Sequence, residues 1–387
     1  LAQRYAKEFE SDLQEADGIF GNGDLSQVDG VVEDLLAGKR PVLTPPQKGV
    51  CCGDRNLLLN FKNSAYVKIT EGCNNCCSFC AIPLIRGPLR SRKALDIVSE
   101  IRDLVSKGCF EINLIGQDLA AYGCGKEDKD ETLLCDFQSS QLSPLARLIR
   151  MISSIEGDFA VRLLYIHPDH FNADILAEMK KDARFLHYFD IPFQSGDESI
   201  IKAMNRKGKP EEYLNLIKSI RKVFPDAAIR TTFMTGFPGE SDDAANNTLD
   251  FLKKVQAQWS GCFTYSKEEG TVAYKMKGTV GKRLAEKRAN LLQDAQSQLT
   301  SELLLQRLQQ TYRVLIEEVV EDKSGQGEGL AIGRAWFQAP EVDGAFVVRY
   351  DADDKDAVKQ IHAGALVLAR AESLSGVDID GVWLAGQ

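Results

Sequence analysis

The segment from about residue 65 to residue 265 alternates short β-branched runs with amphipathic runs, and this alternation constrains the fold most strongly. Apolar residues such as Ile97, Ile101, Leu104 and Val105 recur at the spacing of one helix face. Repeated strand–helix units imply parallel strands joined by right-handed crossovers. Six units predict an incomplete (β/α) barrel in an α/β fold, since a closed barrel has eight. The predicted strands are 65–70, 111–116, 160–166, 187–192, 228–234 and 260–265, and the predicted helices are 93–107, 143–155, 171–182, 197–205, 210–223 and 241–256.

Polar residues, glycines and prolines follow each predicted strand. We expect the interior strand positions to be apolar apart from Arg230 and Thr232. In sheets of this kind, functional groups gather at the carboxyl ends of the strands. We therefore expect one site to be built from several of these ends. The segments concerned are 73–80, 116–118, 167–168, 192–196, 235–240 and 265–266.

Three cysteines, Cys73, Cys77 and Cys80, lie within eight residues directly after the first predicted strand. Three thiols cannot all pair with one another as disulfides, because one is left over. They can bind three irons of a cubane iron–sulfur cluster, whose fourth iron then takes a ligand from outside the protein. This pattern predicts a metal centre at which chemistry takes place.

Other interpretations of these cysteines fit the spacing less well. Cys76 creates two C-x-x-C pairs, but the pairs abut, whereas structural zinc sites usually separate them by about 12–20 residues. A thioredoxin-like site needs only two cysteines at the start of a helix. The remaining alternative is that they are small apolar residues of a loop, although free cysteines are usually scattered and buried.

The spacing C-x-x-x-C-x-x-C with an aromatic residue, Phe79, before the last cysteine is the signature of radical S-adenosylmethionine enzymes. The longer run at 71–92 reads EGCNNCCSFCAIPLIRGPLRSR and resembles the radical S-adenosylmethionine methylthiotransferases. The resemblance spans nearly the whole chain. Further similar segments are YIHPD (165–169), FDIPFQSG (189–196), GFPGE (236–240), YSKEEGT (265–271) and GRAWFQAPEVDG (333–344).

The resemblance implies an enzyme that inserts a sulfur atom and a methyl group into an unactivated C–H bond. Cys73, Cys77 and Cys80 would be the catalytic and metal-binding residues that hold a 4Fe–4S cluster, and S-adenosylmethionine would chelate its open iron. Reductive cleavage would give a 5′-deoxyadenosyl radical that takes hydrogen from the substrate. The protein would supply position and a shaped cavity that excludes water.

Eight further residues are candidates for binding S-adenosylmethionine, and most have a structural alternative. Asp118 could instead cap a helix, and the polar residues after the fourth strand could form a turn. Arg230 must meet a carboxylate, of the cosubstrate or of a structural aspartate, because an unpaired buried guanidinium is strongly unfavourable. Glycines at 236 and 239 would let the backbone approach a ligand, or serve a plain turn. The candidates are Phe79, Gln117, Asp118, Gln194, Ser195, Arg230, Gly236 and Gly239.

Two branches of the family differ in substrate. One modifies isopentenyladenosine in tRNA, and the other, the RimO type, modifies the β-carbon of an aspartate on the twelfth protein of the small ribosomal subunit. The segments at 82–87, 167–170 and 339–344 look like the RimO type.

The charge of the C-terminal segment favours the same branch. Residues 311–387 contain seven Lys and Arg against fourteen Asp and Glu, a net charge of −7. Such a segment is a poor clamp for RNA, since phosphate contacts draw on Lys and Arg, but it suits a basic protein. We expect a basic small-subunit ribosomal protein as substrate, an electron donor as partner, and no strong nucleic-acid binding. The tRNA branch and a non-catalytic iron–sulfur scaffold are the alternatives.

The resemblance also concerns a second iron–sulfur cluster. In the family, an N-terminal domain supplies three more cysteines for it, and the last of them directly precedes a segment similar to residues 1–5. The sequence starts after that point and without Met, so we expect it to be part of a longer protein. Cys51 and Cys52 are adjacent and do not match the family spacing. We therefore expect this polypeptide to lack the second 4Fe–4S cluster.

The flanking segments predict two further units. Residues 1–60 are interpreted as a remnant N-terminal α/β domain with a helix near 31–36 and a Pro-rich linker at 41–46. Residues 281–310 predict a long helix that leaves the barrel. Short strands with glycine turns then predict a small all-β barrel, with strands at 312–320, 330–337, 345–350 and 365–371. The resemblance implies that this barrel is of the TRAM, OB-like type. The predicted domains are 1–60, the radical S-adenosylmethionine domain at 61–300 and the TRAM domain at 311–387.

Composition indicates the compartment. The net charge is −9, and no apolar run approaches the ~20 residues that cross a bilayer. Ten cysteines without regular spacing favour a reducing, cytoplasmic setting over disulfides, with no membrane association. We expect the cysteines at 76, 109, 124, 135 and 262 to be bystanders.

Overall fold

The computed structural model describes residues 1–47, 61–126, 128, 130, 142–320 and 327–385. Cys51, Cys52 and Cys135 therefore lie outside the described residues, as does most of the loop around position 135. The first described stretch is a small α/β unit. It consists of α1 (Ala2–Asp12), β1 (Ile19–Phe20), α2 (Val28–Leu36) and β2 (Val42–Leu43).

Strand β2 corrects the prediction of a linker at 41–46. Val42 and Leu43 pair in parallel with Ile19 and Phe20 of β1. Pro41 takes part through its carbonyl, which accepts a 2.8 Å hydrogen bond from the Ile19 N–H. A proline beside a short strand is compatible with pairing, because it needs to supply only an acceptor.

Residues 64–264 contain an open sheet of six parallel strands, whose spatial order is the order along the chain, and a separate antiparallel pair formed by residues 70–71 and 90–91. Helices connect the strands, so the predicted incomplete barrel is confirmed, with all six predicted strands and all six predicted helices. The elements are β3 (Ser64–Lys68), β4 (Thr70–Glu71), α3 (Ile82–Arg86), β5 (Arg90–Ser91), α4 (Ala94–Ser106), β6 (Glu111–Ile115), α5 (Pro144–Ser153), β7 (Ala160–Leu163), α6 (Ala173–Met179), β8 (Phe185–Asp190), α7 (Glu198–Ala203), α8 (Pro210–Val223), β9 (Ala228–Thr235), α9 (Asp242–Val255) and β10 (Trp259–Thr264).

The main core lies between this sheet and its connecting helices. Ile97, Ile101 and Leu104 of α4 are at most 2% exposed, and Ile217 and Ile220 of α8 are equally buried. Each such side chain contributes about 1.5–3 kcal/mol by leaving water. The periodic apolar positions therefore decide which face of each helix meets the sheet.

The long helix α10 (Lys282–Leu305) follows the sheet. The prediction that this helix leaves the barrel is wrong, because the helix packs along the barrel. Gln296 and Thr300 bond the carbonyls of Ala257 and Gln258 at 2.8 Å, and Leu292 joins the main core. Neither α10 nor any other helix within the described ranges has the length and apolarity to cross a membrane.

The C-terminal residues form a closed five-stranded β-barrel, as predicted, with the strand order β11-β12-β13-β15-β14. The prediction missed its fifth strand, β15, whose sequence DIDGVWL carries two aspartates and a glycine. A side chain at Gly381 would come within 2.5 Å of the Arg370 carbonyl, so close strand packing requires that glycine. The elements are β11 (Thr311–Val320), β12 (Glu328–Arg334), β13 (Phe346–Asp351), α11 (Lys355–Gln360), β14 (Leu366–Ser375) and β15 (Asp378–Leu384).

The β-barrel packs against the sheet face that the helices leave uncovered. Tyr188 and Trp259 of the sheet share an apolar cluster with Phe337 and Phe346 of the barrel. Trp259 also donates from Nε1 to the carbonyl of Phe337 at 2.8 Å. The sheet and the β-barrel therefore share a second apolar core.

A buried ionic cluster joins the two units. Glu111 of β6 accepts hydrogen bonds from Arg162 of β7 at 2.9 Å and from Arg334 of β12 at 2.7 Å. All three residues are at most 5% exposed. The expectation that strand interiors are apolar apart from Arg230 and Thr232 is therefore wrong, because the sheet face toward the β-barrel carries charges whose partners come from a distant segment.

Candidate active site around the cysteine triad

The loop that carries the cysteines begins at Gly72, directly after β4. Gly72 has φ of 75°, and a side chain there would come within 2.1 Å of the Pro88 carbonyl. The next residue, Cys73, donates from its backbone N–H to the carbonyl of Gly87 at 3.2 Å. The glycine thus lets the loop fold back on its own far end, which fixes Cys73 at the carboxyl edge of the sheet.

The second half of the loop is tied to the end of α7. Ser78 is 2% exposed and bonds the carbonyls of Ala203 and Met204 through its hydroxyl and its N–H, at 2.8 and 3.0 Å. Asn205 donates to the carbonyl of Cys76 at 2.9 Å. The positions of Cys77 and Cys80 are therefore set by an element about 125 residues further along the chain.

Three of the predicted cosubstrate residues share a cavity with the triad. Phe79, Gln117 and Gln194 line the same cavity of about 460 Å³ as Cys73, Cys77 and Cys80. A cavity of similar size, about 480 Å³, lies between the sheet and the β-barrel and contains none of the predicted site residues. The carboxyl ends of several strands thus build one site, as expected.

The thiols suit an iron–sulfur cluster. All seven described cysteines are free, so the triad is available as ligands. The pKa of Cys73 is raised to about 11, mainly by burial, with a smaller contribution from the neighbouring Asp118, Cys77 and Cys80. Burial also raises the pKa of Cys80. Cationic iron would offset this penalty, because a bound metal stabilises the thiolate.

The arrangement of the three thiols favours a multi-iron cluster over a single metal ion. Among the described residues, only Asp118, His167 and His170 form a group of three whose potential ligand atoms all lie within 4.8 Å of one another. The triad does not form such a group, and a multi-iron cluster, in which each thiolate binds a different iron, does not require one.

Asp118, a candidate for binding S-adenosylmethionine or for capping a helix, lies outside the wall of the cavity that holds the triad. It is 1% exposed, and it caps a 3₁₀ turn at Leu119–Ala121 by accepting from the Ala120 N–H at 3.1 Å. Its other oxygen accepts from Asn75 at 3.0 Å and pairs with His170 at 2.6 Å. The capping alternative is the one the structure supports, because both oxygens are already engaged within the protein.

Ser195 and the two glycines also lie outside the cavity wall. The Ser195 hydroxyl is 3.1 Å from the hydroxyl of Thr248 and accepts from the Asp197 N–H, which is turn chemistry. Gly236 has φ of 75°, and a side chain there would come within 2.4 Å of Ala285 on α10. Gly239 has φ of 87° and donates to the Gly278 carbonyl at 2.8 Å. These positions serve turns and helix packing.

Arg230 meets a structural aspartate. Its Nη1 donates to Asp190 at 3.1 Å, and its Nε lies 3.7 Å from Asp343 of the β-barrel segment. The predicted need for a carboxylate is thus met within the chain. The carboxylate of S-adenosylmethionine is not required to explain this buried charge.

Tyr165 and Arg206 line the cavity but were not among the candidates of the sequence, and His167 was named only as part of the strand end at 167–168. Tyr165 has φ of 65° although it is not glycine, and Gln194 has φ of 71°. Such conformations are uncommon and concentrate at functional sites. The segment YIHPD carried a signal in the family resemblance, but no residue-level rule foresees the backbone angle.

Arg206 holds the turn that carries Gln194. Its Nη1 donates to the carbonyls of Pro192 and Phe193 at 2.5 and 3.3 Å, and the residue is 8% exposed. His167 is equally buried, and burial together with the charge of Arg206 lowers its pKa to about 4, so the ring is neutral at pH 7. Nothing in the polar run after α7 distinguishes Arg206 from a surface residue in the sequence.

The remaining described cysteines differ in their surroundings. Cys109 is buried in the main core, and burial raises the pKa of Cys262 to about 12. Cys124 lies with Cys73 on a neighbouring cavity of about 260 Å³. Their interpretation as bystanders stays a prediction.

Comparison with known proteins agrees with this geometry. The Radical SAM superfamily matches residues 67–252, and the TRAM domain matches residues 310–384. The chain is 49% identical to the ribosomal protein uS12 methylthiotransferase RimO of Treponema denticola, over 99% of this chain and 84% of the relative. It is 34% identical to the protein of that name in Carboxydothermus hydrogenoformans (99% and 82% covered) and 35% identical to that of Thermotoga maritima (90% and 76%). The chain therefore belongs to the RimO family of radical S-adenosylmethionine methylthiotransferases.

Proposed function

We propose that this protein methylthiolates the β-carbon of an aspartate in ribosomal protein uS12. The observation that carries the proposal is the cavity of about 460 Å³ in which three free thiols face polar groups from the ends of neighbouring strands. The relatives of known name add the substrate, since each is a uS12 methylthiotransferase.

The residues of the cavity have distinct roles in this proposal. Cys73, Cys77 and Cys80 hold a 4Fe–4S cluster, which when bound supplies the electron that cleaves S-adenosylmethionine to a hydrogen-abstracting 5′-deoxyadenosyl radical. Gln117 presents a buried side-chain oxygen without a hydrogen-bond partner, and such a group suits a donor on a ligand. Gln194 and the ring of Phe79 complete the proposed contacts to the cosubstrate.

The acidic β-barrel favours a protein substrate. Its segment carries a net charge of −7, and a basic protein gains attraction from it where RNA meets repulsion. We propose the basic uS12 as partner, an electron donor as a second partner, and no strong binding of nucleic acid. We also propose a cytoplasmic location, because iron–sulfur chemistry and free cysteines fit a reducing compartment.

We further propose that residues 1–387 bind one cluster and that the ligands of the family's second cluster are not among them. The proposed division into domains remains 1–60, 61–300 and 311–387. Iron and sulfide are quantified after anaerobic reconstitution. About four irons per chain support a single cubane, whereas about eight would contradict it.

The experiment for the function uses uS12 deuterated at the β-carbons of its aspartates. The reconstituted protein, dithionite and S-adenosylmethionine are mixed with this uS12 or with tRNA, and mass spectrometry follows deuterium in 5′-deoxyadenosine and methylthio groups on either partner. We expect deuterium transfer from uS12. Modification of tRNA, or cleavage that no partner stimulates, would contradict the proposal and favour the tRNA branch or a scaffold.

A further inference from the structure

The loop at 335–344, which leaves β12 of the β-barrel, reaches the middle of the parallel sheet. Asp343 accepts through Oδ2 from the hydroxyl of Tyr188 on β8 at 2.6 Å and from the N–H of Ala339 at 2.7 Å. The carboxylate of Asp343 thus binds the backbone of Ala339 and closes the segment 339–343 into a loop. The side chain of Asp343 is 1% exposed. The loop is therefore a fixed part of the sheet surface.

A chain of polar contacts connects this loop to the wall of the cluster cavity. The Oδ1 of Asp343 lies 3.7 Å from Nε of Arg230, and Nη1 of Arg230 donates to Asp190 at 3.1 Å. The second oxygen of Asp190 accepts from the N–H of Tyr165 at 3.3 Å. Tyr165 lines the cavity with the cysteine triad and is 46% exposed. These contacts therefore fix the position of the loop relative to the cavity.

The tip of the loop presents two exposed side chains beside this link. Glu341 is exposed with φ of 68°, and Val342 is 53% exposed. The pKa of Tyr165 is raised mainly by burial, and the negative charge of Glu341 is a minor contributor, which agrees with a position near the cavity. Two cations that line the cavity, Lys68 and Arg86, are already paired with Glu71 at 2.8 and 2.6 Å.

We propose that the 339–343 loop forms part of the substrate entrance and that Glu341 binds a cationic side chain of the protein substrate close to the residue that is modified. The inference rests on the proposed function and deepens it, because it assigns substrate selection to one residue of the TRAM domain. Asp343, Arg230 and Asp190 act as positioning residues that hold the loop beside Tyr165. An arginine or lysine of uS12 is the group that Glu341 recognises.

The test compares Glu341→Gln with the wild-type protein and with Asp356→Asn, which removes an exposed carboxylate on α11 of the same β-barrel. Binding of uS12 to the reconstituted protein is measured by biolayer interferometry at low and high salt, and the KM for uS12 is measured from deuterium transfer. We expect Glu341→Gln to weaken binding about fivefold at low salt and to raise KM similarly, with kcat little changed. The difference should shrink at high salt, as screening requires.

The outcomes separate this inference from the proposed function. Wild-type deuterium transfer with unchanged binding in Glu341→Gln would overturn the inference alone. Equal losses in Glu341→Gln and Asp356→Asn would also overturn it, since they would point to the total charge rather than to one site. A wild-type protein that neither binds uS12 nor takes hydrogen from it would overturn both.

Discussion

Replacing Glu111 with Gln should strongly destabilise the contact between the sheet and the β-barrel. Glu111 accepts hydrogen bonds from Arg162, Arg334 and Ser64, at 2.9, 2.7 and 2.8 Å. A glutamine keeps the shape but removes the negative charge. Arg334 then retains Glu317 at 2.5 Å. Arg162 keeps the Trp336 carbonyl and the ring of Tyr188 but has no second ion pair within the described part of the chain.

The expected loss is about 3–5 kcal/mol of the free energy of unfolding, the usual cost of removing one partner of a buried ion pair. Its pH dependence follows from the titration of Glu111. Burial alone would raise the pKa of Glu111, but Arg334 and Arg162 outweigh it and hold the pKa well below its ordinary value of 4.5. The stabilisation is therefore present above about pH 4.5 and is lost as the pH falls below that value toward the folded-state pKa.

The assay is chemical unfolding followed by tryptophan fluorescence, because Trp259 and Trp336 lie at this contact. Asp158→Asn is the matched control. It breaks the ion pair of Asp158 with Arg313 of β11, in which both side chains are about half exposed or more, so it should cost at most about 1 kcal/mol. A loss below about 1 kcal/mol for Glu111→Gln, or a wild-type–variant difference that does not shrink between pH 5 and about pH 3, would refute the reasoning.

Three further predictions concern the site and its supports. Substitution of Cys73, Cys77 and Cys80 by Ala should reduce bound iron and reductive cleavage of S-adenosylmethionine to background, whereas Cys76→Ala should retain both. Bound iron is measured by iron analysis, and cleavage is measured by chromatography of 5′-deoxyadenosine. Retained cleavage in the triple variant would contradict the assignment. Gly236→Ala should lower the free energy of unfolding by about 3 kcal/mol, because strain at positive φ adds to the contact with Ala285. Gly239→Ala, with open space around it, should lower it by only about 1–2 kcal/mol. Equal losses in unfolding experiments would contradict the packing argument. Arg206→Met should lower kcat/KM for S-adenosylmethionine roughly tenfold by loosening the turn at 192–194, while the iron content stays unchanged. An unaltered kcat/KM would contradict the role of Arg206 in supporting this turn.

The architecture was predictable because its signals are local. The spacing of Ile97, Ile101 and Leu104 defines a helix face wherever the helix packs, and the six-unit alternation then fixes a parallel sheet. The cysteine triad was equally predictable, since its ligands lie within eight residues. The strand β15 was missed because its aspartates and its glycine resemble a turn.

The residues whose interpretation the sequence left open depend on partners distant in sequence. The sequence predicts that Arg230 pairs with a carboxylate, but only the fold shows that Asp190, 40 residues away, supplies it. Asp118 at a strand end is equally suited to a ligand or to a cap, and His170 decides between them from 52 residues away. The charges on Arg162 and Glu111 likewise make sense only with Arg334, which belongs to another unit. Long-range pairing of this kind leaves no periodic trace in the sequence.

The central claim is that the three thiols hold a cluster whose remaining iron accepts S-adenosylmethionine. Electron paramagnetic resonance of the anaerobically reconstituted and reduced protein tests it most directly, with spectra recorded before and after addition of S-adenosylmethionine. We expect a 4Fe–4S signal whose g values change when the cosubstrate is added, and whose amplitude disappears in the triple cysteine variant. A signal that is indifferent to S-adenosylmethionine, or that survives the loss of all three cysteines, would contradict the account.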